Sequence, residues 1–283
     1  MRCARSRELT LHTLDMLIKI VYKLIILVIG AESELEVHAM AISITTHGQY
    51  LTQIEKSTIL FPINCYLVRE DDGLTLVDTN WTKTADAILA AAKQLGAPIR
   101  RIALTHVHGD HVGSLDPLHQ ALPDADVLVG AREARLLARD FSLDADEAQT
   151  KPRGDYPAIA TRPTGMLQPG AMVGSLRVIA SPGHTPGHIA FLDTRDGTLI
   201  AGDALFTYTG IGVAGMFRMR FPFSAMATWD KGTALRTARA LAELQPTRLA
   251  VGHGPVLEAP VAAMKQAIDA AAQRFLTEGA RAS

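Results

Sequence analysis

The stretch Thr105-His106-Val107-His108-Gly109-Asp110-His111 constrains this chain more than any other. Ile102-Ala103-Leu104 before it reads as a short buried strand. Gly109 and Gly113 suit a tight turn that lets backbone pass close to something. A strand that delivers nitrogen and carboxylate donors into a loop is a metal site in its simplest form. Imidazole and carboxylate suit zinc, manganese or iron, and the lack of nearby thiolate argues against a structural zinc finger. On extended backbone His106 and His108 point to one side and can grip one ion. Asp110 and His111 lie past the turn and aim at a second point. Two ions roughly 3.5–4 Å apart can share a water and lower its pKa towards neutrality. The competing interpretation is a polar surface loop that happens to contain histidines.

Other strand ends repeat the pattern. Leu74–Thr79 reads as a core strand with Asp78 near its tip, either a turn residue or an acceptor that orients a ligand histidine. Leu176–Ala180 leads into Ser181-Pro182-Gly183-His184-Thr185-Pro186-Gly187-His188, where prolines and glycines fix the backbone. His184 in that rigid turn is the third candidate for the first ion, and His188 is assigned a supporting role. Leu199-Ile200-Ala201-Gly202-Asp203 is again an apolar strand ending in an acid, and a carboxylate can bridge two cations. Arg248–Val251 ends in Gly252-His253-Gly254-Pro255, a further histidine at a strand tip. His119, beyond the cluster, is read as a surface residue.

Between these points the pattern alternates strands and helices. Ile42–Thr46, Ile59–Phe61, Asn64–Arg69, Asp126–Val129 and Ile189–Asp193 read as strands, with Asp71-Asp72-Gly73 and Asp196-Gly197 as hairpin turns. Thr84–Leu95, Ser114–Leu122, Ala131–Ala138, Thr228–Leu244 and Ala259–Thr277 read as helices. Asp140–Thr164 is a long loop of the kind that lines a site, with Phe141 and Tyr156 as candidate substrate contacts. Ala204–Met226 is rich in Phe, Met and Gly without periodicity. It reads as a mobile apolar wall or lid, with Phe206, Tyr208, Phe217 and Phe223 as candidate substrate-binding residues, or else as a loop that packs against the sheet or a second subunit.

The net charge of −1 and the mixing of acids with bases give no basic surface for nucleic acid. With 48% hydrophobic residues, the 283-residue chain can bury a sizeable core. Cys3 and Cys65 make no disulfide framework. Residues 1–40 stand apart from the domain expected over 41–283. Arg2, Arg5 and Arg7 precede an apolar stretch interrupted by Asp15, Lys19 and Lys23. Three readings stand: a signal peptide, an amphipathic helix at a membrane or partner surface, or sequence upstream of a natural start at Met40. The expected location is cytoplasmic, or exported or membrane-associated if residues 1–30 act as a signal or anchor. The expected partner is a small molecule; the assembly state is open, a homodimer among the options.

His106-x-His108-x-Asp110-His111, followed by His184, Asp203 and His253, resembles the full ligand set of the metallo-β-lactamase superfamily. The resemblance covers Ile42 to the last helix. It implies an α/β fold, a four-layer αββα sandwich of two mixed sheets with the metals at one edge. It also implies two zinc ions, with manganese or iron as alternatives. His106, His108 and His184 would hold the first metal, and Asp110, His111 and His253 the second. Asp203 would bridge them, and Asp78 matches the family's acid behind the ligands. The implied mechanism is attack of a metal-bridging hydroxide on a carbonyl polarised by the first metal, with Asp110 relaying its proton.

Within the family, true β-lactamases usually lack an acid at the bridging position, so Asp203 speaks against that activity. Gly202-Asp203-Ala204-Leu205-Phe206 and the Pro-Gly-His-Thr-Pro-Gly-His turn are similar to glyoxalase II enzymes, without a counterpart of their C-terminal glutathione-binding extension. Acyl-homoserine lactone lactonases carry tyrosine where this chain has Phe206, with Tyr208 two residues later. The expectation is a dinuclear zinc hydrolase of a small ester, lactone or thioester. A glyoxalase II-like hydroxyacylglutathione thioesterase is the alternative within hydrolases, and an iron-dependent, persulfide dioxygenase-like oxidoreductase the alternative from another class.

Overall fold

The computed structural model describes residues 41–58 and 60–282. The segment 1–40 and its three readings lie outside them. Among the described residues no helix is long and apolar enough to cross a membrane.

The first half begins with an antiparallel run: β1 (Ile42–His47), β2 (Leu51–Ser57), β3 (Pro62–Glu70) and β4 (Gly73–Val77). Helix α1 (Ala85–Gln94) then crosses to β5 (Ile99–Leu104), which lies parallel to β4. Two short helices, α2 (Gly109–Val112) and α3 (Leu115–Ala121), precede β6 (Asp126–Gly130). Helix α4 (Ala131–Leu137) and the long loop lead to β7 (Gly165–Leu167). These strands form one seven-stranded sheet in chain order.

The second half contains β8 (Met172–Val173), β9 (Leu176–Ala180), β10 (Ile189–Asp193), β11 (Thr198–Ile200), β12 (Leu205–Phe206) and β13 (Gly212–Val213). Helices α5 (Phe223–Ala227) and α6 (Lys231–Glu243) follow, then β14 (Arg248–Ala250), β15 (Leu257–Glu258) and α7 (Val261–Ala282). The second sheet runs β15-β14-β11-β10-β9-β8, and β12 pairs with β13 apart from it.

Three apolar layers hold this together. Tyr66, Val68, Val77 and Ala103 of the first sheet meet Val178, Phe191, Ile200 and Ala250 of the second. The outer face of the first sheet packs Leu67, Leu76 and Ile102 on Ile88, Leu118 and Leu136 of α1, α3 and α4. The second sheet packs Leu199 and Leu249 on Leu241 and Met264 of α6 and α7. The result is a four-layer αββα sandwich. Such interiors exclude water because each buried aliphatic side chain contributes about 1.5–3 kcal/mol.

Three sequence expectations need correction. Strand β2 was not anticipated, because its inward positions include polar Thr52, Gln53 and Lys56, which break the apolar alternation. Gln53 is satisfied by Asn64 Oδ1 at 2.9 Å, and Lys56 by the Thr82 carbonyl at 2.7 Å. Leu60 and Phe61, expected in a strand, lie in a turn closed by Thr58: its hydroxyl donates to the Phe61 carbonyl and accepts from both amides. Helix α6 starts at Lys231 rather than near Thr228. Asp230 caps it by accepting from Thr233 N, while the Thr228 hydroxyl serves Ser224 O and His184.

Candidate metal centre

The chemistry-bearing side chains arrive at one edge from four strand ends. Strand β5 runs out into Thr105 and His106; His108 precedes α2, and Asp110 and His111 lie within that single helical turn. His184 comes from the turn between β9 and β10, Asp203 from the loop after β11, and His253 from the loop after β14. The seven residues named from the sequence meet there. Donor atoms of His106, His108 and His184 form one group; those of His106, His111 and Asp203 a second; those of Asp110, His111 and His253 a third, each within 4.8 Å.

Asp203 stands between the outer groups. Its Oδ1 lies 3.3 Å from His111 Nε2, and its Oδ2 lies 3.1 Å from His253 Nε2 and 3.4 Å from His184 Nε2. His108 Nδ1 lies 3.0 Å from His184 Nε2, and Asp110 Oδ2 lies 3.2 Å from His253 Nε2. Donors around a tetrahedral zinc at 2.0–2.1 Å stand about 3.3 Å apart, so these separations fit a metal.

Each imidazole is anchored through its other nitrogen. His106 Nδ1 meets the Thr105 hydroxyl, His108 Nε2 the Arg153 carbonyl, and His111 Nδ1 the Asp78 carboxylate. His184 Nδ1 meets the Thr228 hydroxyl, and His253 Nδ1 the Pro62 carbonyl. His106 Nε2, His111 Nε2 and Asp203 Oδ1 are buried with no hydrogen-bond partner. Buried polar atoms of this kind are rare unless something else satisfies them. Metal-ligating histidines characteristically bond outward through the second nitrogen, and the donor set fits cations.

The charges agree. Burial, followed by the neighbouring histidines, holds His106 and His184 neutral, far below the usual histidine range, and burial also lowers His108. His111 and His253 go the other way. Burial opposes their charge, but Asp203 first, then Asp78 and Asp110 for His111 and Asp110 for His253, outweigh it; His253 rises to about 10. Asp110 falls to about 2 despite burial, because His111 and His253 face it. Protonated His111 and His253 thus stand where cations would neutralise the carboxylates.

A surrounding layer fixes these groups. His188, given a supporting role from sequence, accepts from Asp203 N at 3.1 Å and bonds Ser181 Oγ at 2.7 Å. Asn64 on β3 donates to Val251 O and Gly254 O on either side of His253. Glu133 and the 153–156 segment contact the ligand loops as well. None of Asn64, Glu133 or Phe61 was singled out from the sequence. Their signal is tertiary: an isolated Asn or Glu says nothing until the opposite loop is in place. Two glycines make the approach feasible. A Cβ on Gly252 would lie 2.1 Å from Asp203 Oδ1, and one on Gly154 would lie 2.2 Å from His108 Nε2. His119 is half-buried on α3 and stays outside the cluster.

Two aromatic walls flank the centre. The Tyr156 ring lies 4.8 Å from His108, with Phe141 behind it at 5.2 Å. Phe61 and Phe221 each lie 5.0 Å from His253, and Phe223 packs on Phe61 at 4.8 Å. The expected substrate contacts divide accordingly. Phe223 joins the wall through Phe61. Tyr208 backs Phe221 at 5.8 Å, and its amide bonds the His253 carbonyl. Phe206 is core, edge to face with Phe221 and buried with α6 and α7 residues. Phe217 is 44% exposed and lies under Arg274 of α7. Within the 204–226 stretch Phe206 and Phe221 are buried in the core, while Phe217, Met219 and Met226 are exposed.

A family model described as the metallo-beta-lactamase superfamily matches residues 58–253. The uncharacterized protein YobT of Bacillus subtilis (strain 168) is 48% identical over 227 residues, covering 80% of this chain and 97% of YobT. A hydroxyacylglutathione hydrolase of Xanthomonas axonopodis pv. citri (strain 306) is 33% identical over 156 residues, covering 55% of this chain. That match spans half of the relative's length. Among solved structures, the DIM-1 metallo-beta-lactamase aligns over 82% of this chain and 98% of its own, with TM-score 0.63 and 15% identity. TTHA1623 in a di-iron-bound form aligns over 72% of this chain and 93% of its own, with TM-score 0.53 and 27% identity.

Proposed function

The chain belongs to the metallo-β-lactamase superfamily, and from that premise we propose that it is a dinuclear zinc hydrolase of a small ester, lactone or thioester. Family and relatives make it a metal-dependent hydrolase. The observation that carries the dinuclear reading is that the donor atoms fall into two outer groups, His106, His108 and His184 on one side and Asp110, His111 and His253 on the other, with Asp203 between them. In this reading His106, His108 and His184 would hold one ion and Asp110, His111 and His253 the other, with the Asp203 carboxylate facing both groups. The ions would supply Lewis acidity towards a carbonyl oxygen and a water acidified towards neutrality.

The chain's own groups do the rest. Asp110 keeps its carboxylate ionised beside His253, so it can orient a water by accepting its hydrogen bond. Asp78, Thr105, Thr228 and the Arg153 carbonyl hold the imidazoles in fixed orientation, so little reorganisation is needed during the reaction. The Tyr156 and Phe61–Phe223 walls favour an apolar acyl group beside the reacting carbon.

The hydroxyacylglutathione hydrolase relative supports a thioester as one member of the substrate class. The di-iron form of TTHA1623 supports iron as the competing metal. Proton release on a long-chain acyl-homoserine lactone, a γ-lactone, S-lactoylglutathione and an aryl ester tests the reading, because hydrolysis of each yields an acid. Zinc-dependent turnover on one class is expected. Oxygen uptake by an iron-loaded form, without hydrolysis, would replace hydrolysis by oxidation.

A further inference from the structure

Helix α4 sends Glu133 inward, where the side chain is fully buried. Its two oxygens are divided between two loops. Oε1 accepts from Val107 N at 3.1 Å, the amide between His106 and His108. Oε2 accepts from the Thr185 hydroxyl at 2.8 Å, beside His184. The approach is close enough that a Cβ on Gly187 would lie 2.3 Å from Glu133 N. The neighbouring cation, Arg132, is turned to Glu147 at 2.7 and 2.9 Å. An acid buried without an ion-pair partner is costly, and burial pushes Glu133 up to about 7 against the bonds from Thr185 and Val107. A core filler of the same volume would avoid that cost, so the carboxylate has a task that apolar packing cannot perform.

We infer that Glu133 is a positioning residue that ties the loop carrying His106 and His108 to the turn carrying His184. This rests on the metal centre proposed above. The three histidines come from segments about 75 residues apart, and they must converge within one coordination sphere. A single acceptor shared by both segments sets that distance before any metal arrives. Residues behind the ligands typically change metal affinity by about 10- to 100-fold when lost.

Chelator competition with zinc on the full-length chain tests this, read with melting of the metal-free protein. Glu133→Met keeps the length of the side chain but accepts from neither loop. It is expected to bind one ion like the wild type and the other about 10- to 100-fold more weakly. Thr185→Val, which removes only the hydroxyl on Oε2, should weaken the same ion less. The double variant should lose no more than Glu133→Met alone. If Glu133→Met fails to fold, Thr185→Val decides the matter. Wild-type affinity for both ions in the variants would overturn the inference while leaving the metal centre intact. Equal weakening of both ions in step with a lower melting temperature would overturn it too, since that marks general destabilisation. A wild-type chain that takes up no zinc would overturn the metal centre and this inference together.

Discussion

Asp78 Oδ2 lies 2.8 Å from His111 Nδ1, and the same carboxylate accepts from Thr105 N and Thr105 Oγ1 at 2.7 Å each. One acid thus orients a candidate ligand and anchors the end of the strand that leads into His106 and His108. Asp78 holds this position with left-handed backbone at φ 60°, which asparagine also tolerates. Asp78→Asn should therefore fold and weaken zinc about 10- to 100-fold in chelator competition. Unchanged affinity would reduce Asp78 to a turn residue.

Proton linkage gives a second expectation. His111 and His253 are lifted above the ordinary 6.5, the latter to about 10, so both carry protons in the metal-free chain at neutral pH. Those protons stabilise the metal-free fold fully below about pH 6.5, and the His253 contribution is lost as the pH rises through about 10. Cations must displace them. Zinc affinity should climb with pH above 6.5, with about two protons released from these histidines at pH 7.5. Calorimetry in buffers of different ionisation enthalpy measures the count. No release would show both imidazoles neutral beforehand.

Asp203→Ala should lower metal content as well as turnover, because its carboxylate faces His111, His184 and His253 together. Elemental analysis of the dialysed variant measures this. Full occupancy of two ions would remove Asp203 from its bridging position.

The aromatic residues separate into wall and core. Phe61→Ala and Phe223→Ala should change selectivity among acyl chain lengths with small effects on stability. Phe206→Ala should cost about 3–5 kcal/mol in denaturant unfolding, because it empties a fully packed site. Phe217→Ala should leave chain-length selectivity untouched, since its ring stands under Arg274. A selectivity profile unmoved by the Phe61 and Phe223 variants would sever the wall from substrate recognition.

The strand tips were the legible part of this sequence. Asp78, His106, His184, Asp203 and His253 each follow an apolar run or a rigid Pro-Gly turn, and local spacing exposes that pattern. Strand β2 was not legible, because Gln53 and Lys56 are buried through bonds to Asn64 and Thr82, which only the folded chain supplies. Glu133 and Asn64 were hidden for the same reason. Their partners lie on loops 26 to 190 residues away. Phe206 and Phe221 looked like a lid because their segment lacks periodicity, yet irregular backbone can still pack its aromatics into a core.

Turnover measured against zinc equivalents per chain separates a dinuclear hydrolase from its alternatives. Metal-stripped protein would be titrated with zinc while proton release is followed on the ester, lactone and thioester panel. Hydrolysis of at least one class is expected, absent without metal and reaching its plateau at two equivalents. A plateau at one equivalent, or two bound ions with no proton released from any substrate, would contradict a dinuclear hydrolase.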